Sequence, residues 1–450
     1  MATVIPFQGL RYDLSRIEKL DDVIAPPYDV ITAAAQEEYH RRHPYNVIRL
    51  ELGRIGDDDT PQNNRYTRAS SYLQQWLEEG VLLPEESPAL YSYRQEFTWQ
   101  GRDFCRSSFL ARVRLADYGE GEVLPHEDTL PQARADRLAL LRTCRANFSP
   151  IFGLYLDPGH RVDEMFRQVV SGSLPQAEAV DEGGIRHRLW VIKEEQVIRE
   201  VRAFMAPQTI YIADGHHRYE TALQYHREAG DPGSAHVMMA LTNMFDPGLL
   251  ILPTHRLVCR IPPPRPAEVL RRVEESFSVT AYDLARGIAE FLGLLKEAGE
   301  KGHAFGMYLG GERVYLLWRA WENQDETGEG GAAEPGVPGS LQGKAAGGRP
   351  AGDPPGQTGT PPRPLDVPVL HKLVLEGILG VDPQKNLEFT HQAEEAIAAV
   401  RSGRTEMAFL LNPPTLDQVV SLARAGQKMP QKSTYFWPKL VTGLVLNRLG

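Results

Sequence analysis

Hydrophobic and polar positions alternate along this chain in two rhythms, and the rhythms change often. Asn46 to Leu52 (NVIRLEL) alternates with period two and predicts a strand. Asn64 to Glu79 places Tyr72, Leu73, Trp76 and Leu77 at helical spacing. Leu90 to Trp99 and Phe109 to Leu115 predict two strands joined through a polar turn at Gln100 to Asp103. Arg134 to Arg145 predicts an amphipathic helix with Leu138, Leu140 and Leu141 on or near one face. Thr209 to Ala213 (TIYIA) is a compact β-rich run, followed by Asp214-Gly215 and by a helical stretch from about His217 to Glu228. Val237 to Asn243 predicts another strand, closed by a turn at Asp246-Pro247-Gly248. Further on, Val314 to Trp318 reads as a strand and Val367 to Ile378 as a helix. Met407 to Leu411 reads as a buried strand between helices at Ala393–Ser402 and Leu416–Ala425. Strands and helices interleave without a clean βαβ rhythm, so the fold class expected is α/β in the mixed, α+β sense.

One stretch breaks both rhythms. Trp321 to Pro364 is dominated by Gly, Pro, Ala and acidic or amide residues. It has almost nothing to bury and cannot offset the entropy of ordering. The expected organisation is an N-terminal α/β lobe over 1–120 and a core domain over 121–320. A disordered Gly/Pro-rich insert follows over 321–364, then a C-terminal α/β segment over 365–450 that packs on the core. No internal repeat is visible.

Composition narrows the function classes. At 450 residues, with 42% hydrophobic and 24% charged positions, the chain is an ordinary globular one of two or three domains. Its net charge of −10 argues against a sequence-independent nucleic-acid binder, which needs a basic surface. The three cysteines, Cys105, Cys144 and Cys259, are far apart, which argues against a thiol zinc site or a disulfide framework. No signal-peptide pattern opens the chain, and no apolar run approaches the ~18 residues of a membrane span, so a cytoplasmic protein with no membrane partner is expected. Neither GxGxxG nor GxxxxGK[ST] occurs.

The chemistry gathers at Asp214-Gly215-His216-His217-Arg218. A strand, an Asp-Gly turn and a helix start together form an anion site. Gly215 permits positive φ or close approach of a ligand. The first helical turn presents unpaired N–H groups and partial positive charge. Arg218 supplies a charged planar fork, His216 and His217 can donate hydrogen bonds or exchange protons, and Asp214 can accept a proton or hold a cation. Read blandly, Asp214 is a helix cap and the histidines are surface groups; three versatile side chains at one helix start favour the site. A metal reading pairs His216 or His217 with Glu220 at helical spacing, though HExxH is absent.

A second candidate is the loop LPHEDTL, with His126, Glu127 and Asp128 between Pro125 and Pro131; Glu127 there can be a general base or part of a solvated loop. Arg134 and Arg137, at the start of the next helix, can reach an anion beside it. Tyr28 and Asp29 in the Pro-Pro turn IAPPYDV, the turn HPYN at 43–46, and His255-Arg256 in LPTHR can line a pocket or be ordinary turn chemistry. MPQKSTYFWPK at 429–439 combines Lys432, Ser433 and Thr434 with Tyr435, Phe436 and Trp437. It reads as a nucleotide contact or, more readily, as a docked C-terminal segment.

Six ordered motifs resemble a known family: IAPPYDVI, HPYNVIRLEL, LPHEDTLP with ADRLALL, YIADGHHRYETAL, LTNMFDPGLLILPTHR and MPQKSTYFWPKL. Together they resemble the prokaryotic family catalogued as domain of unknown function 1015, over most of the chain outside the Gly/Pro insert. One departure lies in PQARADR, where the family's Gly-Pro-Lys is replaced by Gln132, Ala133 and Arg134. DGHHR also resembles the signature of the ParB/sulfiredoxin superfamily and its free L-serine kinases. That resemblance implies a ParB/sulfiredoxin-like core embedded in a larger multi-lobe protein. It also implies a kinase that moves a phosphate from ATP or ADP, with Mg²⁺, to a small hydroxyl, L-serine first. In that reading Glu127, Asp214 and His217 are catalytic; Gly215, His216, Arg218 and Arg137 bind the nucleotide phosphates; His126, Tyr28 and Asp29 bind substrate. The partners are then a nucleotide and a small molecule, with no nucleic acid; a homodimer is compatible with it. The rival expectations are a ParB-like nucleotide- or DNA-binding regulator and a metal-dependent hydrolase.

Overall fold

The computed structural model describes residues 2–321 and 363–449. The chain forms two compact units, Met1–Leu252 with Val419–Gly450, and Pro253–Gln418. The boundary expected near residue 120 falls inside the first unit, because one nine-stranded sheet hydrogen-bonds strands from Val4–Ile5 to His236–Asn243. The boundary expected near 320 falls inside the second, where Arg313–Ala320 and Met407–Leu411 both flank Gly302–Tyr308. The insert expected over 321–364 lies, apart from its ends, outside the described residues.

The first unit is built on the sheet order Val123–Leu124, Ile210–Asp214, Ile151–Tyr155, His236–Asn243, Arg102–Arg114, Leu90–Trp99, Arg186–Ile192 and Ala177–Val180, with Val4–Ile5 paired to Arg102–Arg114. Phe109, Val113, Ile151, Tyr155, Ile212, Met239 and Leu241 point into one apolar core. Helices contribute Phe166, Val201, Met205, Tyr219 and Ala222 to it. Most neighbours in this sheet are antiparallel, but Val123–Leu124 runs parallel to Ile210–Tyr211. Two parallel strands leave a sheet at the same end. The loop after Leu124 and the turn after Asp214 therefore emerge side by side.

The second unit carries a six-stranded antiparallel sheet, ordered Ser278–Asp283, Arg313–Ala320, Gly302–Tyr308, Met407–Leu411, His255–Val258 and Leu387–Thr390. Phe305, Met307 and Phe409 pack on one side and Phe291, Leu295 and Leu410 on the other. Among the described residues no helix is long and apolar enough to cross a membrane.

The mixed α/β class holds, and so do most elements expected from the pattern. The strand expected at Asn46–Leu52 is instead a helical turn, Ile48–Glu51. Asn46 decides this: its Oδ1 accepts from Ile48 N at 2.9 Å, and its Nδ2 donates to the carbonyls of Asp22 and Ile24 at 2.8 and 3.1 Å. Val47, Ile48, Leu50 and Glu51 are all buried, a helical set that alternating hydrophobicity imitates over so short a run. The helix Arg65–Glu78 begins as expected, its Asn64 cap forming a reciprocal box with Thr67.

Candidate functional site

The strand Ile210–Asp214 ends in a register shift between Ile212 and Asp214, and the helix His216–Ala229 starts one residue later. Gly215 is the cap residue, at φ 92°, in the left-handed region that glycine alone enters without penalty. A Cβ there would lie 2.9–3.1 Å from the Arg218 guanidinium. Gly215→Ala is expected to lower stability by about 1–2 kcal/mol and to push Arg218 off its partners. Urea denaturation checks the first part; an unchanged midpoint would contradict the strain.

Asp214 is therefore a strand end and not a side-chain cap. Its carboxylate holds two cations: Lys439 Nζ at 2.8 Å on one oxygen and Arg218 Nη2 at 2.9 Å on the other. Burial pushes the Asp214 carboxyl up, but Lys439 and Arg218 outweigh it and hold the group well below the ordinary carboxylate range. Burial works against the Lys439 ammonium too, and Asp214 with Asp29 more than restores it. Arg218 also donates to Pro150 O at 2.7 Å, so it fastens the helix start to the strand Ile151–Tyr155.

The neighbouring loop supplies Glu127. Its Oε1 accepts from Thr434 N at 3.0 Å and from Thr434 Oγ1 at 2.8 Å. Its second oxygen has no hydrogen bond among the described residues, and the side chain is 15% exposed. Met429 N donates to His126 O at 2.7 Å, and Asp128 N to Met429 O at 3.3 Å, so the C-terminal segment runs beside this loop. Its far end is fixed by the sheet: Gln95 Nε2 donates to Lys439 O at 2.9 Å, and the fully buried Arg106 donates to Pro438 O and to Gln95 Oε1. Gln95 and Arg106 face each other across paired strands. Lys439 Nζ also lies 4.5 Å from the Tyr435 ring centre.

His217 is half-buried. Its Nε2 accepts from Leu130 N at 2.8 Å. Burial lowers it, against the pull of the Asp29, Glu220 and Glu127 carboxylates. Asp29 also acts electrostatically on Lys439 and Tyr435. The arrangement thus offers a carboxylate with one oxygen to spare, a clamped ammonium, an exposed Lys432 and the N–H groups of a helix start. Such a set accepts an anion and a nearby hydroxyl.

The family described as "Protein of unknown function (DUF1015)" matches residues 4–334. This chain belongs to that family. No curated protein matches it. Among solved structures, a free serine kinase, a Glu-to-Gln mutant in complex with AMP, aligns at 12% identity and TM-score 0.36, over 75% of this chain and 92% of that one. A conserved hypothetical protein from Pyrococcus furiosus aligns at 13% identity and TM-score 0.34, over 75% and 95%. The C-terminally truncated SbnI from Staphylococcus aureus aligns at 9% identity and TM-score 0.34, over 74% and 85%.

Several residues expected at the site have other work. Arg137 is 5% exposed, its donors taken by Glu51 and Asp136, and its guanidinium lies 4.0 Å from the Tyr28 ring centre. It supports Tyr28 rather than meeting a phosphate. Its sequence position near Glu127 suggested otherwise, but its side chain turns into the protein. His126 is completely buried and cannot touch a substrate; it donates from Nδ1 to Ile212 O at 2.7 Å. His216 is buried too, and its Nε2 accepts from His126 N at 3.3 Å. The lone pairs of His216 and His217 are thus used by backbone N–H groups. Glu220 is bound to Thr129 and Arg134. This disposes of the zinc set drawn from these three residues; among the described residues no group of three or more His, Cys, Asp or Glu side chains can hold a metal ion. His255 and Arg256 are buried in the second unit, where His255 Nδ1 accepts from Leu411 N at 3.2 Å. Lys439 and Thr434 were the residues sequence reasoning undervalued. The only signal was the mixture of basic, hydroxyl and aromatic groups in their segment.

Proposed function

We propose that this protein is a phosphotransferase that moves a phosphate from ATP or ADP to the hydroxyl of a small metabolite, with free L-serine as the leading acceptor. The observation that carries the reading is Glu127, fixed by Thr434 with its second oxygen free of hydrogen bonds among the described residues, in a loop that emerges next to the strand bearing the Asp214–Lys439 clamp at a helix start. Glu127 takes the proton as the acceptor's O–H bond breaks. The new P–O bond forms at that oxygen, and the nucleotide's P–O bond breaks with its electrons staying on the nucleotide. Lys439, held charged by Asp214, and the helix N–H groups offset the charge on the transferred group. His217, uncharged near neutral pH because burial lowers it, contributes a hydrogen bond rather than a charge. Mg²⁺ would enter with the nucleotide as part of the substrate and would supply charge neutralisation at its phosphates. The ParB/sulfiredoxin-like core belongs to the same proposal, as do Tyr28 and Asp29 on the substrate side.

The test is direct. Purified protein with ATP or ADP, Mg²⁺ and L-serine is expected to yield O-phosphoserine. Glu127→Gln keeps the Thr434 contacts and removes the base. It is expected to slow product formation by about 100- to 10,000-fold and to leave the urea midpoint nearly unchanged. No product from either nucleotide at high protein concentration would sink the reading.

A further inference from the structure

The first unit has a second concavity that shares no residue with the Glu127 and Asp214 site. Arg112 sits on the strand Arg102–Arg114, where Phe109, Ala111 and Val113 turn into the apolar core. Side chains alternate along a strand, so Arg112 lies on the opposite face of the sheet. There it borders a cavity of about 540 Å³, within the ~300–1,000 Å³ of ordinary small-molecule sites. The helix Arg65–Glu78 lines it with Leu73 and Leu77, and Phe7 and Leu449 add further apolar wall. The charged groups on it are all of one sign: Arg112, Arg145 and Arg448. None of the described lining residues is acidic, in a chain whose net charge is −10.

The three cations differ in their partners. Arg145 is paired with Asp231 at 2.6 Å. Arg448 is exposed and makes no hydrogen bond or ion pair among the described residues. Arg112 donates from Nη2 to Gly233 O at 2.8 Å, and its Nε is buried with no partner. Burial pushes the Arg112 guanidinium down from its ordinary value, and no carboxylate opposes it. A buried donor without an acceptor is costly, and a half-buried cation without an anion more so. The helix Pro131–Cys144 ends at the cavity and works against an anion, since its carbonyl end carries about half a negative charge. Two guanidinium groups with no carboxylate partner outweigh it. Water or an inorganic ion would answer the charge and leave the apolar walls uncovered. We propose that this cavity binds a small organic anion with an apolar body, its acidic group on Arg112 and Arg448 and its body against Phe7, Leu73, Leu77 and Leu449.

The probe is anilinonaphthalene sulfonate, an apolar ring system with one sulfonate, titrated into the full chain and read by its fluorescence. It is expected to bind saturably, and at least about tenfold more tightly than N-phenylnaphthylamine, the same rings without the sulfonate. Arg448→Gln lies on the surface and is expected to keep the urea midpoint while weakening sulfonate binding by about tenfold. Arg112→Met removes the charge at similar volume and is expected to weaken it as much. Binding of the neutral probe is expected to be the same in both. Gln74, exposed on the helix Arg65–Glu78, also borders the cavity. Gln74→Trp places a bulky ring there and is expected to exclude both probes. No saturable sulfonate binding, equal affinity for the two probes, or sulfonate binding unchanged in both arginine variants overturns the anion site. Sulfonate binding that survives Gln74→Trp overturns this cavity as its place. A dimer that the probe dissociates gives the cavity to a second copy of the chain and overturns a small-molecule occupant. O-phosphoserine formation is measured separately, and its absence leaves this site standing.

Discussion

Asp214→Asn is expected to lower stability by about 3 kcal/mol at neutral pH, near the lower end of what breaking a buried ion pair costs. The substitution keeps shape and removes charge. It leaves Lys439 and Arg218, 13% and 11% exposed, facing each other with no anion between them. It is also expected to slow O-phosphoserine formation by about 100-fold or more, because Lys439 then loses the partner that keeps it charged and in place. Urea denaturation and the product assay measure the two effects separately. A variant as stable as wild type would show that the two cations find other partners and that Asp214 is not the clamp. The contrast with Glu127→Gln is the informative part: one residue holds the site together, the other acts in it.

Mild acid is expected to destabilise this protein. Burial lowers His40 and His236 to about 4, His255 to about 3 and His371 to about 4, and it lowers His126 and His216 as well. A histidine held neutral in the fold is protonated in the unfolded chain below its ordinary value of 6.5. The unfolded state then binds more protons, and stability falls as pH falls. The contribution is complete above that value and is lost progressively below it. Asp246 works the other way. Burial raises it to about 6, so the folded state keeps a proton that the unfolded chain has released, and its contribution is lost as pH rises through that value. Each group contributes at most about 1.4 kcal/mol per pH unit, and the seven histidines, His217 included, outnumber Asp246 and Asp366, the two aspartates that burial raises. A loss of at least about 3 kcal/mol between pH 7 and pH 5 is expected, read as a falling urea midpoint. The Asp214 clamp adds to the loss only at much lower pH, because Lys439 and Arg218 hold it ionised far into acid. A flat profile over this range would mean that these histidines are solvated and charged in the fold.

Much of this protein was legible along the chain, wherever the information was local. Leu73 and Trp76 recur at helical spacing, and both are buried in Arg65–Glu78. The run TIYIA followed by Asp-Gly predicts a strand, a turn and a helix start, and Ile210–Asp214, Gly215 and His216–Ala229 follow in that order. The same information failed at Asn46–Leu52, where a side chain bonded to carbonyls more than twenty residues away decided the backbone. The site was half legible for the same reason. Asp214, Gly215 and Glu127 stand out by type and by local context, and they meet because two short parallel strands end at one place. Whether a neighbouring side chain joins them depends on what it packs against. Arg137 looked like a phosphate ligand until Glu51, Asp136 and Tyr28 claimed it. Lys439, 225 positions from Asp214, enters the site because Gln95 and Arg106, on neighbouring strands, hold its backbone there. Sequence by itself determined which residues had useful chemistry and the local elements that carry them. Tertiary structure alone decided which of them come together and which are buried, because long-range pairing and burial are properties of the folded chain and of no single segment.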